Sequence, residues 1–495
     1  MIRTSTNDTI AAIATPPGIG GVGIVRLSGP EALEIALKLF KRPTRRTQPA
    51  SWQPESHRLY YGHIIQPGTG QILDEVLLAY MHEPRSYTAE EVVEIQTHGG
   101  PLLLRRILDA ALSEGARLAN PGEMTLRAFL NGRIDLAQAE AVMDMIGART
   151  DEGLKLAVDQ LQGRLSAEVQ AARQETLGAL AMIEASIDFP EEEVPSPDPD
   201  VLRAGIAAAF ARIERLLAGA EQGRIYREGL RAAIIGRPNV GKSSLLNALL
   251  RLDRAIVTPI AGTTRDTVSE FANVRGIPVQ LIDTAGIAET SDPVEQIGVR
   301  RSREAAATSD LVLLVLDGSE PLTAQDEEVS AVLQTLGFSS DHASQANAAS
   351  NGHADLHGSA VGRPIIVVVN KSDLPERLRL ADVETLWPGA PVVRTSMVTQ
   401  SGLDTLEEQM RALALAGQAT PSEQETLVAN TRHRDALRRA AEHLSAASNT
   451  LDAGLPLDFV SIDLHGAVDA LGEITGETAT EDLLERIFHD FCIGK

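Results

Sequence analysis

Apolar and polar residues alternate at strand spacing through Thr9–Ala14, Gly21–Leu27, Leu59–Ile65, Glu75–Met81 and Val92–Thr97. Helical spacing takes over in Pro30–Leu39 and Pro101–Ser113, so the chain to about residue 131 reads as mixed α/β. From Arg133 to Ile187 the pattern is helical and rich in alanine, leucine and glutamine. It stops at Asp188-Phe-Pro-Glu-Glu-Glu-Val-Pro195, where prolines block continuation. A third helix is predicted over Asp200–Glu228, and helical spacing returns in Ser422–Leu451, Asp458–Leu471 and Glu481–Phe491. Between these lie short apolar runs, Arg231–Ile235, Val279–Ile282 and Pro364–Val369, each ending at a polar loop. The simplest organisation is one helical domain interrupted by an α/β domain, which is tolerated because domain termini often lie close together. Gly337–Gly362 has few apolar anchors and reads as a flexible surface insertion; its His342, His353 and His357 lack metal-ligand spacing and read as solvated.

Bulk properties narrow the function. A chain of 495 residues holds about three domains. A net charge of −23 argues against a nonspecific nucleic-acid coat protein, so RNA contact would come from a local basic patch or a partner. One cysteine excludes a disulfide framework and fits a reducing cytosol. There is no secretory signal and no apolar run long enough to cross a bilayer, so a soluble cytoplasmic protein without membrane contact is expected.

The apolar run Arg231–Ile235 leads into Gly236-Arg-Pro-Asn-Val-Gly-Lys-Ser243 and then into helical Ser244–Leu250, the strand–loop–helix context of a phosphate-binding loop. Asn239, Val240, Gly241 and Ser244 would line the phosphates. Lys242 would reach the β- and γ-phosphates, and the Ser243 hydroxyl would ligate magnesium. Asp283-Thr-Ala-Gly286 closes the next apolar run: Asp283 suits water-mediated magnesium contact and the Gly286 N–H suits the γ-phosphate, with Thr284 and Ala285 between them. In the loop Ala261-Gly-Thr-Thr-Arg-Asp266, Thr264 is the natural second hydroxyl for magnesium. Base choice falls to Asn370-Lys-Ser-Asp373. The Asp373 carboxylate accepts from guanine N1–H and the 2-amino group, Asn370 reads the N7 side, the Lys371 stem covers the ring, and Ser372 completes the loop. Ser396, in Thr395-Ser-Met397, belongs to a further base loop. The glycine pattern Gly18-Ile-Gly-Gly-Val-Gly23 is a decoy: a strand follows it, not the helix a dinucleotide site requires.

Four further stretches narrow the task. Thr15-Pro-Pro-Gly18 with Gly20–Gly29, Tyr87–Gly100, Pro121–Glu140 and the terminal Phe491-Cys-Ile-Gly-Lys495 closely resemble the MnmE (TrmE) family of tRNA-modification GTPases. The resemblance covers nearly the whole chain outside 337–362. It implies an N-terminal folate-binding and dimerisation domain (1–131), a helical domain in two parts (132–228 and 417–495) and an inserted Ras-like P-loop GTPase domain (229–416). It also implies a homodimer, and a heterotetramer with the flavoprotein MnmG, whose FAD is not on this chain. Together they would add an aminomethyl or carboxymethylaminomethyl group to C5 of the wobble uridine of certain tRNAs. The one-carbon unit would come from 5,10-methylene- or 5-formyl-tetrahydrofolate.

Carried over by position, the folate contacts implied are Arg26, Glu94, Arg133 and Lys495. A carboxylate such as Glu94 can accept parallel hydrogen bonds from a pterin. Arg133 stands where many relatives have lysine. The resemblance further implies Glu295 acting through water, since Ile287 replaces the glutamine that positions water in Ras. A potassium ion held by Asn239, Thr258, Ile260 and Thr263 would serve in place of an arginine finger, in the nucleotide loop that also carries Pro259, Ala261 and Gly262. Cys492 has two readings, a catalytic thiol and a small buried hydrophobe. The alternative function is a regulatory or ribosome-assembly switch GTPase without RNA chemistry.

Overall fold

The computed structural model describes residues 7–43, 52–188, 197–252, 270–283, 303–339, 362–416, 425–489, 491–492 and 494. The chain forms two compact units. Met1–Met143, Gln160–Ile213 and Ala436–Lys495 make the first; Asp144–Asp159 and Glu214–Asp435 make the second.

The first unit carries a seven-stranded sheet: β1 (Ile10–Ile13), β2 (Gly20–Ser28), β3 (Phe40–Lys41), β4 (Arg58–Ile65), β5 (Ile72–Met81), β6 (Val92–Gly99) and β7 (Arg117–Leu118), in the order β3-β4-β5-β6-β2-β1-β7. Every pairing is antiparallel except β1 with β7. The helices Ala32–Leu39 and Pro101–Ser113 bury Ile35, Leu39, Leu104 and Ile107 against Val25, Leu27, Leu78 and Ile95 of the sheet. A Cβ on Gly23 would lie 2.7 Å from Leu104 Cδ2, so this glycine admits a helix against β2. The glycine-rich pattern therefore serves packing, and a strand follows it as expected. Leu59, Tyr61 and Leu77, which alternate with residues facing the helices, stay exposed.

Buried charge ties the end of this unit together. Arg127, only 3% exposed, donates through Nη2 to Asp8 (2.5 Å) and Glu123 (3.1 Å) and lies 3.3 Å from Glu90. Arg117 closes the cluster on Asp8 (2.7 Å) and Glu123 (2.5 Å). Burial alone would raise the Glu123 carboxyl, but hydrogen bonds from Arg117, the Asn120 N–H and Arg127 outweigh it and hold it below the usual carboxylate range. The same balance lowers Asp8. Carboxyls depressed in the folded state stabilise it fully above their ordinary values, and that stability is lost as pH falls through the lowered ones. Arg127→Met leaves Glu90 without its guanidinium and Asp8 and Glu123 to Arg117 alone, and should cost about 3 kcal/mol or more in urea unfolding at neutral pH. The deficit should shrink towards acid. A variant as stable as the parent at pH 7 would show that the cluster is not stabilising.

The helical expectations hold in outline and fail at the breaks. Arg133–Ile187 is three helices, Leu136–Gly147, Asp151–Leu161 and Arg164–Asp188. Thr150 starts the second by accepting the Gly153 N–H at 3.2 Å, and Gly163 (φ 85°) separates the second from the third. The helix predicted over Asp200–Glu228 breaks at Gly219 into Pro199–Ala218 and Ala220–Glu228. The helix predicted from Ser422 begins at Thr431. Leu457–Thr475 runs on to Gly476 (φ 94°), and Glu481–His489 follows. The acidic run 189–195 lies outside the described residues, as does 340–361 of the predicted insertion. The ends of that insertion are bridged by Arg363 N–H to Gly337 C=O (2.7 Å) and Ser339 N–H to Arg363 C=O (3.0 Å). No helix among the described residues is long and apolar enough to cross a membrane.

The second unit is built on six strands: β8 (Leu230–Ile235), β9 (Glu270–Val274), β10 (Ile277–Asp283), β11 (Leu311–Asp317), β12 (Ile365–Asn370) and β13 (Val392–Arg394), ordered β13-β12-β11-β8-β10-β9. All neighbours are parallel except β9 and β10. From β8 the chain goes first to β9 and β10 on one side, then to β11 on the other. The order thus reverses at the carboxyl end of β8, where open α/β sheets bind ligands. β11 and β12 are buried throughout, which explains their unbroken apolar runs.

Candidate nucleotide-binding site and a second polar cluster

The loop after β8 is shaped by backbone geometry that few residues tolerate. Asn239 (φ 64°) and Gly241 (φ 101°) both sit in the left-handed region. A Cβ on Gly241 would lie 2.2 Å from Asn370 Nδ2, so only glycine fits there. The helix Lys242–Leu252 starts at once, directing its first N–H groups into the loop. Lys242 Nζ donates to the carbonyls of Gly236 and Arg237, both at 2.8 Å, which places its ammonium inside the curl. Ser243 and Ser244 are exposed on the first turn and Val240 is buried beneath.

The guanine loops interlock with this one. Asn370 ends β12, is 3% exposed, and donates from Nδ2 to the Val240 carbonyl at 2.8 Å. The phosphate loop and the base loop are therefore joined through one amide. Lys371 (φ 62°) donates to Asp317 Oδ2 at 2.5 Å. The Ser372 N–H donates to the Thr395 carbonyl at 3.1 Å. Ser396, fully buried, donates its hydroxyl to Asp373 Oδ1 at 2.5 Å and so orients the carboxylate assigned to guanine. Burial would raise the Asp317 carboxyl, yet hydrogen bonds from Lys371 and Ser319 hold it below its ordinary value. Asp317 was not among the residues singled out from sequence, although the apolar run Leu311–Leu316 ending in an aspartate was a visible signal.

In the first unit, β2 and β6 place Arg26 directly opposite Glu94. Arg26 donates to Glu94 Oε1 from Nε at 2.9 Å, with Nη2 at 2.8 Å. Two guanidiniums approach the Tyr87 ring, with Arg26 Cζ 5.2 Å and Arg133 Cζ 5.1 Å from its centroid. Arg133 also donates to the Tyr87 carbonyl at 2.8 Å, and the Tyr87 and Thr125 hydroxyls share a hydrogen bond of 2.9 Å. Arg26 and Arg133, far apart in sequence, thus meet at one tyrosine whose role the sequence did not suggest, with Glu94 held by Arg26. The chain end packs in the same unit: the Gly122 N–H donates to the Cys492 carbonyl at 3.3 Å, and a Cβ on Gly494 (φ 95°) would lie 2.3 Å from the Ile13 carbonyl oxygen. Cys492 is partly buried.

Thr258, Pro259, Ile260, Ala261, Gly262, Thr263, Thr264, Thr284, Ala285, Gly286, Glu295 and Lys495 lie outside the described residues, as does the side chain of Asp283, whose backbone ends β10. The described part of the site therefore comprises the phosphate loop and the two base loops.

Comparison with known proteins agrees with this geometry. A family model described as the MnmE helical domain matches residues 136–492, and one described as the GTP-binding protein TrmE N-terminus matches residues 9–133. The tRNA modification GTPase MnmE of Chloroflexus aurantiacus is 52% identical over 492 residues, covering 99% of this chain and 100% of the relative. Its counterpart in Levilactobacillus brevis is 46% identical over 495 residues, covering 100% of both. That of Geobacillus thermodenitrificans is 46% identical over 489 residues, covering 99% of each. With an interlocked phosphate and guanine loop on one sheet and both family segments matched, the chain belongs to the MnmE family.

Proposed function

We propose that this chain is a GTP hydrolase acting in tRNA modification, with GTP or GDP held by Asn239–Ser244, Asn370–Asp373 and Ser396. One observation carries the reading. Asn370 ties the phosphate loop to the base loop, so that a purine and its phosphates would be held by two joined loops. Magnesium use accompanies it: the exposed Ser243 hydroxyl at the helix start is a hard oxygen donor that suits this ion, with Thr264 as the second ligand. Magnesium held by Ser243 and Thr264 would supply positive charge to offset that of the phosphates. Lys242 adds a fixed positive charge on the same side.

The finer parts of the proposal rest on the family resemblance. Potassium would be held by Asn239, Thr258, Ile260 and Thr263, and Glu295 would position water. The left-handed Asn239, standing out on the phosphate loop, is consistent with an amide oxygen offered to a weakly hydrated cation. Hydrolysis in potassium should then exceed that in sodium by roughly tenfold or more. Equal phosphate release in the two salts would remove the cation from the account.

The N-terminal domain, 1–131, would bind a tetrahydrofolate one-carbon donor through Arg26, Glu94 and Arg133, with the tail bearing Cys492 and Lys495 close by. The packing of Gly494 against Ile13 supports a tail that belongs to this domain. The exposed Leu59, Tyr61 and Leu77 on the sheet suit a homodimer contact. The helical parts, 132–228 and 417–495, would make one domain into whose sequence the GTPase domain, 229–416, is inserted. Modification of the wobble uridine would take place with MnmG. Titration with 5-formyltetrahydrofolate should show micromolar binding that Glu94→Ala weakens by about 10- to 100-fold, because a partly buried charged acceptor is lost. Undiminished binding by the variant would move the folate site elsewhere.

A further inference from the structure

We infer that Asp317 is a positioning residue of the nucleotide site, whose buried carboxylate fixes Lys371 and thereby the surface offered to the purine ring. The inference rests on the guanine assignment above. Asp317 is the last residue of β11 and pairs in register with Asn370, the last residue of β12. It is 5% exposed. Its Oδ2 accepts from Lys371 Nζ at 2.5 Å, while Oδ1 accepts from the Ser319 N–H at 2.9 Å and the Ser319 hydroxyl at 2.7 Å. The Gly318 N–H donates to the Asn370 carbonyl at 2.8 Å. A Cβ on Gly318 would approach that oxygen to 3.0 Å. Asp317 and Gly318 therefore clamp the two residues that begin the guanine motif, and Ser319 holds Asp317 in place.

Two consequences follow for Lys371. Its ammonium is neutralised by a buried acid, so the chain presents its methylene stem to the ligand and not a phosphate-seeking charge. Its backbone holds a left-handed φ of 62°, sparsely populated by residues with a Cβ, and the Asp317 bond helps retain it. A long flexible lysine held in one geometry before the ligand arrives loses less entropy on binding.

The test is GDP binding to the full chain bearing Asp317→Asn, Lys371→Met or both. Asp317→Asn should weaken GDP by roughly tenfold, the worth of one charge-assisted hydrogen bond. The double variant should bind no more weakly than Lys371→Met alone, because both changes remove one device. IDP, which lacks the 2-amino group, should lose affinity by the same factor as GDP, since Lys371 covers the ring and does not read its edge. Additive losses, a loss confined to GDP, or unchanged GDP affinity would each overturn the inference. Should Asp317→Asn fail to fold, Ser319→Ala decides: a weakening of about threefold supports the clamp, and parental affinity overturns it. Absence of GDP binding by the parent would overturn the guanine assignment itself, and this inference with it.

Discussion

Asp373→Asn should convert guanine preference into xanthine preference. Asp373 is oriented by the buried Ser396 hydroxyl at 2.5 Å, and its carboxylate can accept from both N1–H and the 2-amino group of guanine. An asparagine amide replaces one acceptor with a donor, which then faces the amino group. One hydrogen bond is lost outright and the other loses its charged acceptor, at a cost of about 1.5–3 kcal/mol each. GDP affinity should therefore fall by about 10²–10⁴-fold, at about 1.4 kcal/mol per tenfold. Xanthine carries a carbonyl at position 2 and accepts from the new amide, so XDP should gain where GDP loses. Competition between GDP and XDP for the variant measures this directly. Retained GDP preference would mean that Asp373 does not read the base.

Lys242→Ala carries the second large effect. In the structure the ammonium bridges the Gly236 and Arg237 carbonyls at 2.8 Å each, which holds the curl of the loop and keeps the charge within it. Removing it takes away both the pin and the only lysine in the loop motif. Hydrolysis at saturating GTP should drop by about 10²–10³-fold, the range for losing one donor aimed at developing transition-state charge. Multiple-turnover phosphate release is the readout. A rate within tenfold of the parent would place catalytic charge stabilisation elsewhere.

What the sequence disclosed, it disclosed where chemistry is local. Gly236–Ser243 and Asn370–Asp373 each carry their function in a few contiguous residues at a strand end, and both sit at the sheet's carboxyl edge as expected. Asp317 escaped because its role depends on the parallel register of β11 with β12, a relation between distant segments. Tyr87 escaped for the same reason: Arg26 and Arg133 reach it only after the sheet forms. The helix Glu123–Leu130 was hidden by Glu123 and Arg127, charged residues that are buried here because they neutralise each other. The two-residue strands β3 and β7 are too short to show a period. Helix breaks at Gly163 and Gly219 were missed because one glycine inside a helical pattern is often tolerated.

Cells lacking this gene, given back either the parent or Lys242→Ala, offer the most direct check on a GTP-driven tRNA modification. Mass spectrometry of their tRNA nucleosides should show the C5-substituted wobble uridine absent in the deletion, restored by the parent and not by the variant. The same uridine at full level in the deletion, or equal restoration by Lys242→Ala, would contradict the account.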